Sequence, residues 1–488
     1  PGGAPAWRSG GRTHLALRPE EPARTRREGG TERVARRVAA ALAERPEVAL
    51  AYWDGGLGRL VVTAAEESAG EQVCARAVEI AARHGLAPDD GAAEDVVHPA
   101  DPAGVRAAAA TLAADGIGVA LAVTGQVLRL PATPRGLTAL VTLLREDPRF
   151  RARLRARIGR SRMDLVLAVA HAAAHGAGRT PAALVLDGAL RSLQLAETVA
   201  RAAAFDKVHD EVCAPERPGV AAQRPRPPLR TSPAQQYASH AEAGSLVGAV
   251  AALLVKQDGT EAADAVLAGA PKAARYGPAA FHAVLSSALA RTGVLVRDPE
   301  RLRQLEMAGT VVLHPSALRT ARGGADAWAE AVLDAARRAG LRVVTADDPA
   351  LADFTGLADQ VVPAERPLRQ VVEGLRDGEG VVVTVARPGP HDEDVLDGLL
   401  AGDVAVALTD RDAAVVWDAD VLALHGPPDV WRLLRAIPAA RDVGRRSQVL
   451  ARSGATLSGL LVAVGKPRRG RAAPRPALRH TPVDASAA

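Results

Sequence analysis

The sequence predicts a mixed α/β chain whose C-terminal part is a doubly wound parallel sheet. Three observations carry that reading. Between residues 293 and 440, valine-rich runs ("TVVLHP", "LRVVTADDP", "GVVVTVARPG", "VAVAL", "ADVLALHG") alternate with segments of helical period ("DAWAEAVLDAARRAG", "PLRQVVEGLRDG", "DVLDGLLAG"). Strands that are apolar on both faces belong in a sheet covered by helices on either side. Residues 31–98 and 99–160 each read helix, hairpin, helix, and residues 161–292 are alanine-rich and helical throughout.

Taken in order, residues 1–30 are rich in Gly, Pro and Arg and are expected to form a disordered arm. "TERVARRVAAALAE" then places Val34, Val38, Ala41 and Leu42 on one helical face, with Thr31 as a cap. "VALAYWDGGLGRLVVTA" is a hairpin about Asp54-Gly55-Gly56, and "SAGEQVCARAVEIAARHG" a second amphipathic helix, started by Ser68 and stopped by Gly85. The order returns as "DPAGVRAAAATLAADG", a hairpin "IGVALAVTGQVLRL" about Thr124-Gly125, and "TPRGLTALVTLLRED". Two such units predict tandem ferredoxin-like modules, 31–98 and 99–160. The helical region 161–292 is split by a Pro/Arg linker at 213–233, and 441–488 is expected to be a helix with a basic tail.

Composition narrows the function classes. Apolar residues make up 48% of the 488 but aromatics only 2%, so Ala, Val and Leu must build the core. Only four of the 61 basic residues are lysine (Lys207, Lys256, Lys272 and Lys466), a bias expected of a high-GC genome. The net charge is +5, and acidic and basic residues interleave, so no nucleic-acid partner is expected. The arginine-rich stretches 149–162 and 466–479 suit solvated faces or an anionic membrane surface. Two cysteines, Cys74 and Cys213, exclude a disulfide framework and a Cys-rich metal site, and point to a reducing compartment. No signal-peptide pattern opens the chain, and its start at Pro1 reads as a fragment or a trimmed gene model. The apolar stretches 164–178, 244–255 and 457–465 are too short or interrupted to span a ~30 Å hydrocarbon layer, which favours a soluble or peripheral protein.

The segments "GVLVRDPERLRQLEMAGTVVLHPSALRT" (293–320), "AGLRVVTADDPALA" (339–352) and "AGDVAVALTDRDAAVVWDADVLALHGPPDVWRLLRAIPAARDVGRRS" (401–447) resemble the phosphorylation domain of P-type cation-transporting ATPases. "LAGAPKAARYGPAAFHAVLSSALARTG" (267–293) resembles the stretch that joins a membrane helix to that domain. The resemblance covers about residues 30–450. It is closest to the N-terminal halves of large actinobacterial P-type ATPase-like proteins, in which a degenerate half precedes an intact one. It implies a haloacid-dehalogenase-like fold for 293–440 and heavy-metal-associated-like modules for the N-terminal units.

Every functional motif that the resemblance implies is altered in at least one residue. The family accepts phosphate on the aspartate of Asp-Lys-Thr-Gly-Thr; here the matching residues are His314, Pro315, Ser316, Ala317 and Leu318. Histidine cannot supply the hard oxygen ligand that Mg²⁺ takes, and Pro315 removes an amide donor. Thr345-Ala346-Asp347 stands for Thr-Gly-Asp, with Asp347 or Asp348 alternatively capping the next helix. Pro367 occupies the approximate place of the phosphate-neutralising lysine. The Mg²⁺ motif is replaced by "ARPGPHDEDVLDG" (386–398), where His391, Asp392, Glu393 and Asp394 read as a solvated acidic helix start. Only 33 residues separate His314 from Asp347, too few for the nucleotide-binding domain that the family inserts there.

The site residues are therefore degenerate positions, His314, Thr345, Asp347, Asp392 and Asp394. No cofactor is expected, the ATP and Mg sites of the family being missing. Metal readings are equally sparse: no Cys-x-x-Cys pair precedes the first helix, His171 and His175 lack the Glu of a zinc protease motif, and His209 with Cys213 has only an i,i+4 spacing. The expected role is structural or regulatory toward an intact ATPase half, in cis or in trans, at the cytoplasmic face of the membrane. Two alternatives stand: part of an active transporter whose catalytic half lies beyond this chain, and a soluble dehalogenase-like phosphatase.

Overall fold

A computed structural model describes residues 6–89, 98–178, 181–217, 219–220, 225–257, 259, 262–263, 266–267, 272–378, 380–410 and 413–463. The basic tail 464–488 lies outside them. The chain divides into two compact units. Unit 1 comprises Pro1–Ala103, Val199–Leu229 and Ser286–Ile437; unit 2 comprises Gly104–Thr198, Arg230–Leu285 and Pro438–Ala488.

The N-terminal part of unit 1 is an antiparallel sheet with two helices packed on it. Strands β1 (Ala6–Ser9), β2 (Arg12–Leu15), β3 (Leu17–Pro19), β4 (Val48–Asp54), β5 (Arg59–Ala64) and β6 (Leu86–Pro88) pair in the order β1-β2-β5-β4, with β3 beside β6. The Asp54 carboxylate accepts the Leu57 amide at 2.8 Å, and Gly58 turns the hairpin at φ 67°. Helices Thr31–Ala43 and Gly70–Arg83 bury Val34, Val38 and Leu42 and Val73, Ala77 and Ile80 respectively. Each fully buried Val or Leu stabilises the module by about 1.5–3 kcal/mol before entropy is counted. Thr31 is the first helical residue, not the cap, which is Gly30.

The expected disordered arm is corrected from residue 6 onward. Residues 6–19 supply three strands, and Trp7, His14, Leu15 and Leu17 are buried. The arginines and glycines around these few apolar residues mask them in composition alone.

The second ferredoxin-like module is also corrected. The expected hairpin at 117–130 lies mostly within one continuous helix, Pro102–Val127. A glycine such as Gly125 costs a helix about 1 kcal/mol, and the alanine-rich flanks offset it. Unit 2 continues with helices Arg135–Glu146, Pro148–Ile158, Arg160–Ala177 and Pro233–Lys256, plus parts of longer ones. Gly118 and Gly176 mark a close helix crossing: a Cβ on Gly118 would lie 2.9 Å from the Ala172 carbonyl oxygen. Among the described residues one helix segment, Gly104–Val127, is long and apolar enough to cross a membrane by length and composition. It is not one of the three stretches singled out from the sequence.

The alternating strands and helices of 293–440 form the expected sheet. Strands β8 (Leu295–Val296), β9 (Ala308–Leu313), β10 (Arg342–Ala346), β11 (Gln360–Val362), β12 (Val381–Ala386), β13 (Val404–Leu408) and β15 (Val421–Ala423) pair in the order β11-β10-β9-β12-β13-β15-β8. All pairs are parallel except the edge pair β15–β8. From β9 the chain steps outward through β10 to β11, returns to β12 beside β9, and steps outward the other way. The carboxyl ends of β9 and β12 are thus the topological switch point, where open α/β sheets hold their ligands.

The Pro/Arg linker is bound to unit 1. A short strand, β7 (Gly219–Val220), pairs with β14 (Val415–Val416). Arg226 donates to the Asp418 carbonyl at 2.7 Å, and Arg217 to the carbonyls of Asp410 and Ala413. The arginines serve as donors to backbone carbonyls, which composition cannot distinguish from solvated charge. Gly219 and Gly56 meet over the buried Trp417: a Cβ on Gly56 would fall 2.7 Å from both the Gly219 carbonyl carbon and Trp417.

Candidate functional site

The switch point is where the nucleophile strand of an α/β enzyme would deliver its reactive side chain. Strand β9 delivers His314, the first residue past its end, and the His314 amide still donates to the Val385 carbonyl of β12 at 2.9 Å. Its ring caps the short helix Pro315–Leu318: Nδ1 accepts the Ser316 amide at 3.2 Å and lies 2.8 Å from Ser316 Oγ. Ser316 Oγ in turn accepts the Arg387 amide at 2.9 Å. The hydroxyl proton therefore goes to His314 Nδ1, which leaves the ring proton on Nε2. Burial lowers the His314 pKa to about 4; Arg319 adds to the effect, and Asp392 and Asp348 oppose it. At neutral pH the ring is uncharged.

Ion pairs line the rest of the crevice. The Arg387 guanidinium bonds the carbonyls of Ser316 and Arg319 and pairs with Asp410 at 2.8 Å. Arg319 pairs with Asp348 at 2.9 Å. The Arg387 amide and guanidinium and the Arg319 side chain thus already have partners within the protein.

The predicted positions sort accordingly. Thr345, at the end of β10, is buried and beside β9 in register with Leu313. Asp347 is exposed; Asp348 is the residue that caps the following turn, accepting the Ala350 amide at 2.9 Å. Asp392 accepts the Gly389 amide at 2.9 Å, and His391, Asp392, Glu393 and Asp394 are all exposed. His314, Ser316 and Asp348 come together with Arg319, Arg387 and Asp410, which sequence reasoning does not single out. Asp394 does not join them.

Two buried carboxylates at the opposite, amino ends of the strands also escape sequence reasoning. Asp403, just before β13, accepts the Val382 amide at 3.0 Å and pairs with Arg376 at 3.1 Å. Asp420, just before β15, accepts the Ala405 amide at 2.7 Å and pairs with Arg226 at 2.7 Å; burial raises its pKa to about 6 despite Arg226 and Arg301. Lying at the amino ends of their strands, they fix strand starts rather than face the switch point.

The histidine pair of unit 2 is buried: His171 and His175 are 6% and 4% exposed. His171 Nε2 lies 3.4 Å from Asp187, which Arg145 pairs at 2.7 Å and Tyr276 hydrogen-bonds. Arg191 pairs with the equally buried Asp115 at 2.6 Å. Opposite charges are thus matched within the unit, as buried ions require. His209 and Cys213, in unit 1, are buried as well.

No family model matches the chain. It is 28% identical over 590 residues to the probable cation-transporting ATPase I of Mycobacterium tuberculosis, covering 94% of this chain and 36% of that protein. It is 28% identical over 615 residues to the protein of the same name from Mycobacterium leprae, covering 99% of this chain and 38% of that one. Two crystal structures of a zinc-transporting PIB-type ATPase, in different states, give TM-scores of 0.32 and 0.34 at 12% and 11% identity. They cover 54% and 57% of this chain and 61% and 62% of theirs. Over nearly its whole length, then, the chain is similar to the mycobacterial proteins named probable cation-transporting ATPase I, and it spans little more than a third of their length.

Proposed function

We propose that this chain is a non-catalytic, P-type ATPase-like part with a structural or regulatory role toward a cation-transporting ATPase. The observation that carries the reading is the occupied switch point: His314 caps the Ser316 turn, Ser316 accepts the Arg387 amide, and Arg387 pairs with Asp410 where an acyl phosphate would form. On this reading ATP and Mg²⁺ have no role at this crevice, and the soluble phosphatase alternative would need an aspartate where His314 stands. On this reading 293–440 is a dehalogenase-like domain that kept its fold after losing its chemistry, since core packing does not depend on catalytic residues. The strand order of the N-terminal part, β6 beside β3 and β2-β5-β4, supports one ferredoxin-like module. The partner is an intact ATPase half, in cis or in trans.

The test is phosphoenzyme formation. Purified chain carrying His314→Asp is expected to incorporate no label from γ-phosphate-labelled ATP, because one carboxylate restores neither the Mg²⁺ ligands nor a nucleotide domain. Hydroxylamine-sensitive labelling of that variant would overturn the reading. A second reading, that the chain is part of an active transporter with its catalytic half elsewhere in the polypeptide, is favoured by its coverage of only 36–38% of the relatives. An immunoblot of native cells showing a polypeptide about three times as long supports it, and one showing a free chain of this size removes it. Unit 2 exposes Leu121, Val127, Val247 and Leu254 among other aliphatic side chains, which supports membrane association; carbonate extraction would release the chain if that is wrong.

A further inference from the structure

Far from the switch point, unit 1 buries a chain of three imidazoles whose proton positions follow from their hydrogen bonds. The Ala100 amide donates to His98 Nδ1 at 3.1 Å, so neutral His98 carries its proton on Nε2. That proton is donated to His14 Nδ1 at 3.1 Å, and His14 Nε2–H is donated to His209 Nε2 at 2.8 Å. His209 then carries its proton on Nδ1 and donates it to Asp210 at 3.0 Å. Burial lowers the pKa of all three rings, in keeping with this neutral arrangement.

Beside the central pair stands a thiol. His209 and Cys213 share a face of the last turn of helix Pro181–Val212, where the Cys213 amide donates to the His209 carbonyl at 2.8 Å. His14 reaches them from β2. The His14 and His209 nitrogens and Cys213 Sγ lie within 4.8 Å of one another, and all three residues are buried. Trp7 stacks on His209 at 5.3 Å between ring centres, and Tyr52 holds the turn through the Cys213 carbonyl.

We propose that His14, His209 and Cys213 form a binding site for a single thiolate-preferring d¹⁰ cation, Zn²⁺ or Cu⁺. Two imidazole nitrogens and one thiolate are a donor set of that class. Asp210 on His209 Nδ1 is the outer carboxylate that ligating histidines commonly use, and it aims the Nε2 lone pair inward. Coordination needs donor separations of about 3.3–3.9 Å, so the histidines part slightly and the sulfur side closes by roughly 1 Å. Binding releases one proton, from the Cys213 thiol, and moves the His14 proton from Nε2 to Nδ1. His98 then accepts at Nε2, carries its own proton on Nδ1, and gives up the bond from Ala100. Arg12, Arg59 and Arg297 place positive charge near the rings. Cu⁺ with one thiolate adds no net charge there, which favours it over Zn²⁺. Asp210 is exposed, so the cation enters one residue below the surface.

The full chain, reduced and stripped with chelator, is titrated separately with Zn²⁺ and with ascorbate-held Cu⁺, and X-ray absorption is recorded at each metal edge. One equivalent of at least one ion is expected to remain after desalting, with one sulfur scatterer at about 2.3 Å and one proton released. Cys213→Ser loses the sulfur scatterer and Cys74→Ser keeps it. Asp210→Asn, an exposed change that leaves the core intact, weakens binding about 10–100-fold. Failure of the folded chain to retain either ion, or sulfur scattering that survives in Cys213→Ser, would overturn the site. If Cys213→Ser does not fold by circular dichroism, an unchanged affinity in Asp210→Asn has the same force.

Discussion

The two histidine centres of unit 1 are built in opposite ways. His314 finds its first partner two residues away, at Ser316, and sits at the end of a strand that the valine pattern announces. His14 finds its partner 195 residues away, at His209, and its other partner 84 residues away, at His98. The first centre is a local cap with a surface of ion pairs around it. The second is a core network in which each ring depends on the next for its proton. A local centre tolerates loss of one member; a serial one does not.

That contrast can be broken experimentally, the largest effect first. His14→Ala is expected to cost about 3–5 kcal/mol, because it leaves a cavity and strands both the His98 donor and the His209 acceptor. Urea unfolding measures it, and a loss below about 1 kcal/mol would mean that the chain of imidazoles is not cooperative. Arg387→Ala should cost about 2–3 kcal/mol by freeing Asp410 and two carbonyls at the switch point. The same variant is expected to gain no phosphate-releasing activity; a gain would show that Arg387 alone occludes a working site.

The smallest effect is a pH dependence. The folded His314 pKa of about 4 lies below the unfolded value near 6.5, so the unfolded chain binds the proton first as pH falls. The His314 contribution is intact above about pH 6.5 and is lost progressively toward pH 4, by up to about 2–3 kcal/mol. His314→Asn can keep the helix cap while removing the titration, so its stability should fall less across that window. Equal slopes for the two proteins would refute the burial of a neutral ring.

What is legible in the sequence follows the same division between local and distant. The parallel sheet is readable because strands buried on both faces must be nearly continuous runs of apolar residues, as in Val381–Ala386. The first hairpin is readable from Asp54-Gly55-Gly56. The second hairpin is misread because alanine and valine around Gly125 serve helix and strand equally well over a short window. The histidine at 314, where the resemblance implies an aspartate, is visible in the sequence. The Arg387 network is not, since its partner Ser316 lies 71 residues away. The spacing of His209 and Cys213 is visible too, but nothing in the sequence brings His14 to them.

The glycine junction over Trp417 has a kinetic consequence. Gly56 belongs to the N-terminal sheet, Trp417 to the parallel-sheet region and Gly219 to the segment laid between them. Neither contact surface exists until its own module has formed, so the strap at 219–220 docks after both. Joins of such long sequence separation are slow to make and are the natural first point of partial opening. Exchange of the Trp417 amide, which donates to the Val220 carbonyl at 3.2 Å, would then report the earliest breathing of the folded chain rather than its global unfolding.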